Sequence, residues 1–486
     1  MITMRNLILI NHDMKMERKM KFKSDYFKHC LLTFALLSMA VHVCFAQIEF
    51  TEHTISGDYD GAYAAYATDI DGDGDMDVLG AAWSNDGIVW WENGGEQDFT
   101  KHTIVDSLYY AMSVYAEDVD GDGDMDVLGT DPFVDDITWW ENDGEQNFTG
   151  HNIADDFVVA FCVYAVDLDS DGDMDVLGAA SDDADITWWE NDGEQNFTEH
   201  TIAGDFVSAN SVYATDIDDD GDMDVLGAGR DIAWWENDGE QDFTEHTIEG
   251  NFSGLDVYAA DIDSDGDMDV IGVSSRTAEI TWWENDGEQG FNEHTIAGNF
   301  IGASSVYSAD LDGDSDMDVL GAAFENAEIT WWENNGEQDF TEHTIADSFW
   351  GAQYVYAADV DRDGDMDVLG AAYDADDIIW WENDLIDEHI EEQLHSDVPG
   401  EFTLYNAYPN PFNATTSISF GLPNLSTVRI NILDLYGRTV ATFADRNYEA
   451  GFHSVTWDGS RFPTGIYFVR LNAEGVNRIV KMTLIR

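Results

Sequence analysis

One acidic nonapeptide recurs seven times along this chain, in its commonest form D-x-D-x-D-G-D-M-D, and it constrains the fold more than any other feature. The copies open at Asp69, Asp118, Asp167, Asp216, Asp261, Asp310 and Asp359, spaced by 49, 49, 49, 45, 49 and 49 residues. A period of this length is the mark of a repeat architecture in which each unit buries its apolar faces against the next. Five carboxylates within nine residues repel one another, and a chain keeps such a cluster where a hard cation neutralises it. Ca²⁺ takes roughly six to eight oxygen ligands, and alternating Asp side chains on a tight turn supply them.

The expected metal-binding residues are therefore Asp69, Asp71, Asp73, Asp75 and Asp77 in the first copy and Asp118, Asp120, Asp122, Asp124 and Asp126 in the second. Asp167, Asp169, Asp171, Asp173 and Asp175 follow, then Asp216, Asp218, Asp220, Asp222 and Asp224. The last three sets are Asp261, Asp263, Asp265, Asp267 and Asp269; Asp310, Asp312, Asp314, Asp316 and Asp318; and Asp359, Asp361, Asp363, Asp365 and Asp367. Within a copy the first, third, fifth and ninth residues are expected to coordinate by side chain and the seventh by its carbonyl, for up to seven Ca²⁺. Gly74 permits the turn, having no Cβ to oppose an unusual φ. The sixth copy has Ser315 there, so its site is expected to be the weakest. An EF-hand closes with a bidentate Glu at position twelve. Here that position is Gly in every copy, from Gly80 to Gly370. The pattern instead resembles the Ca²⁺ loops of FG-GAP/VCBS repeats, as in the integrin α-subunit propeller.

Each repeat holds four short strand-like pieces bounded by Gly, Asn and Asp. In the third they are Val163–Ala165, Asp175–Gly178, Ile186–Glu190 and Phe197–Ile202. Four strands per unit, seven times, predicts an all-β seven-bladed propeller over residues 47–385. Ile48–Ile55 is a fourth strand without its first three, and the last repeat lacks a fourth strand, so the N-terminal strand is expected to complete the last blade. The Trp-Trp pair of each repeat points one indole to each sheet face, as packing between blades requires. The histidines at 53, 102, 151, 200, 246, 294 and 343 recur on the outermost strand, which predicts packing or hydrogen bonding rather than catalysis.

Propeller connectivity sends the Asp loops and the turns between third and fourth strands to one face, where the repeats agree. The other two loop types emerge on the opposite face, where they differ: Trp83, Pro132-Phe133, Arg230, Arg276, Phe324 and Tyr373 lie in one set. A specific ligand needs asymmetry, so Trp83, Tyr109, Tyr110, Trp350 and Tyr373 are the candidate ligand-binding residues, with ordinary loop variation as the competing explanation.

The net charge is −82, and only Lys101, Arg230, Arg276 and Arg362 are basic within the propeller region. Nucleic acid is excluded as a partner of that region. The acidic excess points to a salty medium, where screening tames self-repulsion. Cys30 and Cys44 precede residue 47, leaving Cys162 alone after it, so no disulfide can form within residues 47–486. A basic stretch followed by the apolar run Leu31–Val43 resembles a secretory signal peptide over residues 1–46, cleaved after Ala46. Initiation at Met14, Met16 or Met20 is equally compatible with it. No later segment is long and apolar enough to span a bilayer.

An acidic linker, residues 386–400, leads to a module of different composition over 401–486. Its opening Tyr408-Pro409-Asn410-Pro411-Phe412-Asn413, the Leu435-Tyr436-Gly437-Arg438 turn, the Gly465-Ile466-Tyr467-Phe468 strand and a basic last strand resemble the type A C-terminal sorting domain of the Bacteroidetes type IX secretion system. The resemblance implies an Ig-like β-sandwich, the type IX machinery as partner, and release or anchoring at the outer-membrane surface. Adhesion or glycan binding is the first functional expectation. A polysaccharide lyase, with Arg230 and Arg276 as its charge-neutralising groups, and a purely structural surface component are the alternatives. Near-identity of the repeats argues against catalysis, which needs a unique constellation.

Overall fold

The computed structural model describes residues 48–84, 87–95, 98–108, 110–182, 184–384, 402–408, 412–413, 415–433, 435, 438–448, 450–459, 461–462, 465–473 and 476–485. The expected signal peptide and the linker at 386–400 lie outside them. Every regular element in the described residues is a strand.

The first complete repeat shows how sequence becomes sheet. Strand β1 (Phe50–Ser56) precedes it, and β2 (Ala62–Thr68), β3 (Asp77–Ala82), β4 (Ile88–Asn93) and β5 (Phe99–Val105) follow as an antiparallel meander in that spatial order. Apart from Tyr63 and Tyr66, β2, the innermost strand, is built of small residues. In β3 and β4 nearly every residue is buried, so they read as continuous apolar runs rather than alternating ones. Only β5 keeps polar residues in water. This gradient is what a sheet covered on both faces but open at its outer edge requires.

Seven such four-stranded sheets are present. Seven hydrophobic clusters join them, each holding the first Trp of one sheet and the second Trp of the next. Trp90 clusters with Trp140, Trp139 with Trp189, Trp188 with Trp235 and Trp234 with Trp283. Trp282 clusters with Trp332, Trp331 with Trp381, and Trp380 with Trp91, which closes the ring. All of these indoles are nearly fully buried. The Trp-Trp pair is thus the core between blades, as expected. The position-twelve glycines belong to the same packing: a Cβ on Gly80 would meet Trp91 at 2.8 Å and Tyr59 at 2.9 Å.

The last sheet is made from both ends of the repeat region. Ala352–Ala358, Asp367–Ala372 and Asp377–Asn383 supply three strands, and β1 pairs with the third, from Phe50 opposite Asn383 to Ser56 opposite Ile378. The closed propeller therefore leaves no blade incomplete.

Residues beyond 402 form a three-stranded and a five-stranded sheet. They share one core, with Ile418, Phe420 and Trp457 from the first sheet against Ile430, Val469, Leu471 and Met482 from the second.

Candidate functional site

Each Asp loop is a chain of side-chain-to-backbone turns. Asp71 Oδ1 accepts from the Asp73 N–H at 3.0 Å, and Asp73 Oδ1 from the Asp75 N–H at 2.9 Å. Two positions adopt left-handed backbone. One is the expected glycine, Gly74 at φ 97°. The other lies two residues earlier and is not always glycine: Ser170, Asp219, Ser264 and Arg362 stand there with φ near 60°. Ser315 takes φ 81°, and its N–H still donates to Asp310 Oδ2 at 3.0 Å, as Gly123 does to Asp118. The sixth loop therefore keeps the turn, held in a conformation that suits a β-substituted residue poorly.

The ninth-position carboxylates differ from the rest. Asp77 is fully buried, with Oδ1 accepting from the Asn93 N–H at 2.8 Å and Oδ2 from the Ile70 N–H at 3.0 Å. Burial pushes its carboxyl up to about 7, and those of Asp318 and Asp367 up to about 8. Asn93 in turn donates to the Met76 carbonyl of its own loop and the Val360 carbonyl of the preceding blade. This Asn recurs in every sheet and ties each Asp loop to its neighbour. Sequence reading passed over it, although its invariance at the end of the third strand was visible.

The loops converge acidic oxygens without matching donors. In each of the first five, three carboxylates place oxygens within 4.8 Å of one another, for example Asp69, Asp71 and Asp77. Oδ1 of Asp69, Asp118, Asp167, Asp218, Asp261 and Asp310 is buried with no hydrogen-bond partner. A buried carboxylate oxygen without a donor is costly, and a cation is the group that removes the cost. These clusters can hold a metal ion. Arg362 reaches across the seam to donate from Nη1 to Asp75 Oδ1 at 2.9 Å, the one such clasp between Asp loops among the described residues.

The regular histidines are structural. Each sits with Nε2 2.6–2.9 Å from the Glu after the Trp pair and stacks on the first Trp, as His102 does on Glu92 and Trp90.

Face assignment follows the expected connectivity. A Cβ on Gly95, in the turn between third and fourth strands, would meet Asp75 of the Asp loop. On the other face the Tyr59 N–H donates to the Asp376 carbonyl and Phe157 to Asp135, joining the two variable loop types. There Trp83 stacks with Tyr63 at 5.9 Å and meets Tyr110 at 4.8 Å and Tyr373 at 6.4 Å. The group extends through Tyr110 to Phe133 and through Tyr373 to Phe324. So three of the five ligand candidates come together. Tyr109 lies outside the described residues. Trp350 is 65 % exposed and joins no ring contact among them. Arg230 is held bidentate by Asp231, and Arg276 donates to the Ser253 hydroxyl, so the pair expected for a lyase already has partners.

The innermost strands enclose a central cavity of about 380 Å³ that the sequence reading did not foresee. Its floor, at the Asp-loop end, is a closed ring of Tyr66, Tyr115, Tyr164, Tyr213, Tyr258, Tyr307 and Tyr356, with neighbouring ring centroids 4.6–5.3 Å apart. Burial raises every one of these phenols well above its ordinary pKa. Two residues before each tyrosine the wall departs from symmetry: Ala64, Ser113, Cys162, Ser211, Asp256, Ser305 and Tyr354. Burial pushes the Cys162 thiol up to about 11 and raises the Asp256 carboxyl.

With this geometry in hand, the comparisons are specific. An FG-GAP-like repeat model matches residues 69–129, 167–227, 261–321 and 310–370, and a secretion system C-terminal sorting domain matches 406–486. This chain carries FG-GAP-like repeats and a secretion sorting tail. The FG-GAP repeats are the Asp-loop blades, and the sorting tail, whose chemistry is type IX sorting, marks the protein for secretion or the cell surface. No helix of the described residues is long and apolar enough to cross a membrane. No curated protein matches the chain. Similar solved structures include the crystal structure of BBS1N in complex with ARL6DN soaked with lead, at 11 % identity, TM-score 0.49, covering 69 % of this chain and 96 % of that one. The mercury-soaked form of that complex matches at the same identity and TM-score, covering 68 % and 95 %.

Proposed function

We propose that this protein is a Ca²⁺-stapled surface module that binds extracellular glycan through the aromatic group around Trp83. The observation that carries the reading is the joining of Trp83, Tyr110, Phe133 and Tyr373, drawn from different blades, on the one face where the repeats diverge. Flat aromatic faces take the apolar faces of sugar rings, and the many acidic groups nearby accept hydroxyl hydrogen bonds. The same negative charge disfavours uronate-rich chains.

Ca²⁺ suits the loops because its ligands are oxygens and the loops offer little else. In the first loop Asp69, Asp71, Asp73 and Asp77 would hold it by side chain and Asp75 by its carbonyl, with the equivalent residues in the other six. The ion would neutralise the cluster and supply the cross-linking that a chain with one cysteine after residue 46 cannot draw from disulfides. Residues 1–46 act as the signal peptide on this reading, and 401–486 as an Ig-like sorting domain.

A glycan array probed with and without Ca²⁺ tests the proposal. Binding that disappears with Trp83→Ala or Tyr110→Ala supports it. Binding that survives both changes but is lost with Trp350→Ala moves the site away from the aromatic group and refutes it.

A further inference from the structure

The central cavity has a chemistry that the repeats do not share. Among the residues that line it, Asp256 is the only charged one, and no Lys, Arg or His stands with it. Three neutral donors hold that carboxylate. Oδ1 accepts from the Ser211 hydroxyl at 2.8 Å and the Val257 N–H at 3.0 Å, and Oδ2 from the Val306 N–H at 3.1 Å. No cation among the lining residues balances the group; burial raises its carboxyl, and a cation beside it would favour the ionised form. The sister positions show that the charge is not needed for the fold: Ser113 and Ser305 bond the backbone N–H of the next blade from the same place, at 3.3 and 3.5 Å. The rest of the wall adds aromatic faces, Tyr63, Phe161 and Tyr354. The floor adds only phenol hydroxyls, whose oxygens carry lone pairs.

A carboxylate beside aromatic faces, above a floor of acceptors, is the arrangement that recognises an ammonium group. Apolar and aromatic lining favours an organic cation over a hydrated metal ion. The volume lies at the small end of the roughly 300–1,000 Å³ typical of ligand pockets. The mouth faces the variable side, since Tyr63 stands near the start of the innermost strand and touches Trp83 there. We propose that this pocket binds a small organic ammonium ion, with its cationic head beside Asp256 and its body against Tyr63, Phe161 and Tyr354. The inference does not depend on the glycan reading, and the two fail separately: one is judged by Trp83, the other by Asp256.

Calorimetric titration of the full chain with choline, glucosamine and uncharged glucose tests it. Choline or glucosamine is expected to bind at least about tenfold more tightly than glucose. Asp256→Ser, which installs the residue of three sister positions and so preserves the fold, is expected to remove that preference. Choline should also slow alkylation of Cys162 by a neutral maleimide, read at its own peptide by mass spectrometry, because the thiol lines the same cavity. The proposal is overturned if neither ammonium probe binds, if glucose binds equally well, if Asp256→Ser keeps the preference, or if bound choline leaves Cys162 alkylation unchanged.

Discussion

The ninth-position aspartates can be separated from the other loop aspartates by a pair of isosteric changes. Asp77→Asn leaves one acceptor oxygen where two backbone N–H groups need one each, and turns an amide N–H₂ towards the other donor. The lost charge-assisted bond is worth about 1.5–3 kcal/mol, and the stranded N–H adds about 1–3 kcal/mol. Burial penalises the carboxylate charge itself, which offsets part of this, so a net loss of about 2 kcal/mol is expected. Asp71→Asn keeps the single acceptor used by the exposed Asp73 N–H and should cost about 0–0.5 kcal/mol without metal. The assay is thermal unfolding at pH 8.5, above the value of about 7 at which Asp77 titrates, in excess chelator and again with saturating Ca²⁺. In chelator only Asp77→Asn should lower the melting temperature, by several degrees. With Ca²⁺ both should, because both remove charge from the site. If Asp71→Asn destabilises the chelated protein as much as Asp77→Asn, the division into a structural and an ion-facing set is wrong.

Three other outcomes follow from the geometry. In chelator, stability should fall as pH rises from about 4 to about 8. The buried carboxyls have folded-state values raised to about 7 or 8, so their contribution is complete below the ordinary value of 3.8 and lost as pH rises through the raised one; a melting temperature that climbs over that range in chelator contradicts the assignment. Trp380→Ala, at the seam between last and first blades, should cost about 3–5 kcal/mol, whereas the exposed Trp350→Ala should stay within about 0.5 kcal/mol, both read by urea unfolding. Added NaCl should raise the melting temperature even with Ca²⁺ saturating, as self-repulsion of the −82 charge is screened, and a flat response removes the case for a saline habitat.

The fold was legible because repetition multiplies weak signals. One Trp-Trp-Glu strand is ambiguous, but seven with a glycine at fixed distance dictate two-sided packing, and Trp90 and Trp91 do face different neighbours. The same regularity hid the tyrosine floor. Tyr66 and its six equivalents sit among small residues in strands that look like ordinary packing, and only ring closure brings their rings together. The central pocket was hidden for the opposite reason. Asp256, Cys162 and Tyr354 are single departures from the repeat within strands, while ligand candidates were sought in loops. On the variable face, sequence could name aromatic residues but not their neighbours: it ranked Trp350 with Trp83, and omitted Phe133 and Phe324 from the group they join.

Strand β1 has a consequence for the order of events in the life of the molecule. His53 meets Glu382 across 329 positions of chain, so the last blade cannot exist until the whole repeat region has been synthesised. Closing a loop of that length costs about 3 kcal/mol more chain entropy than closing a hairpin of about ten residues. The Asp loops raise the barrier further wherever cations are scarce, since each must bring its carboxylates together unaided. The ring stays open until β1 meets the last blade.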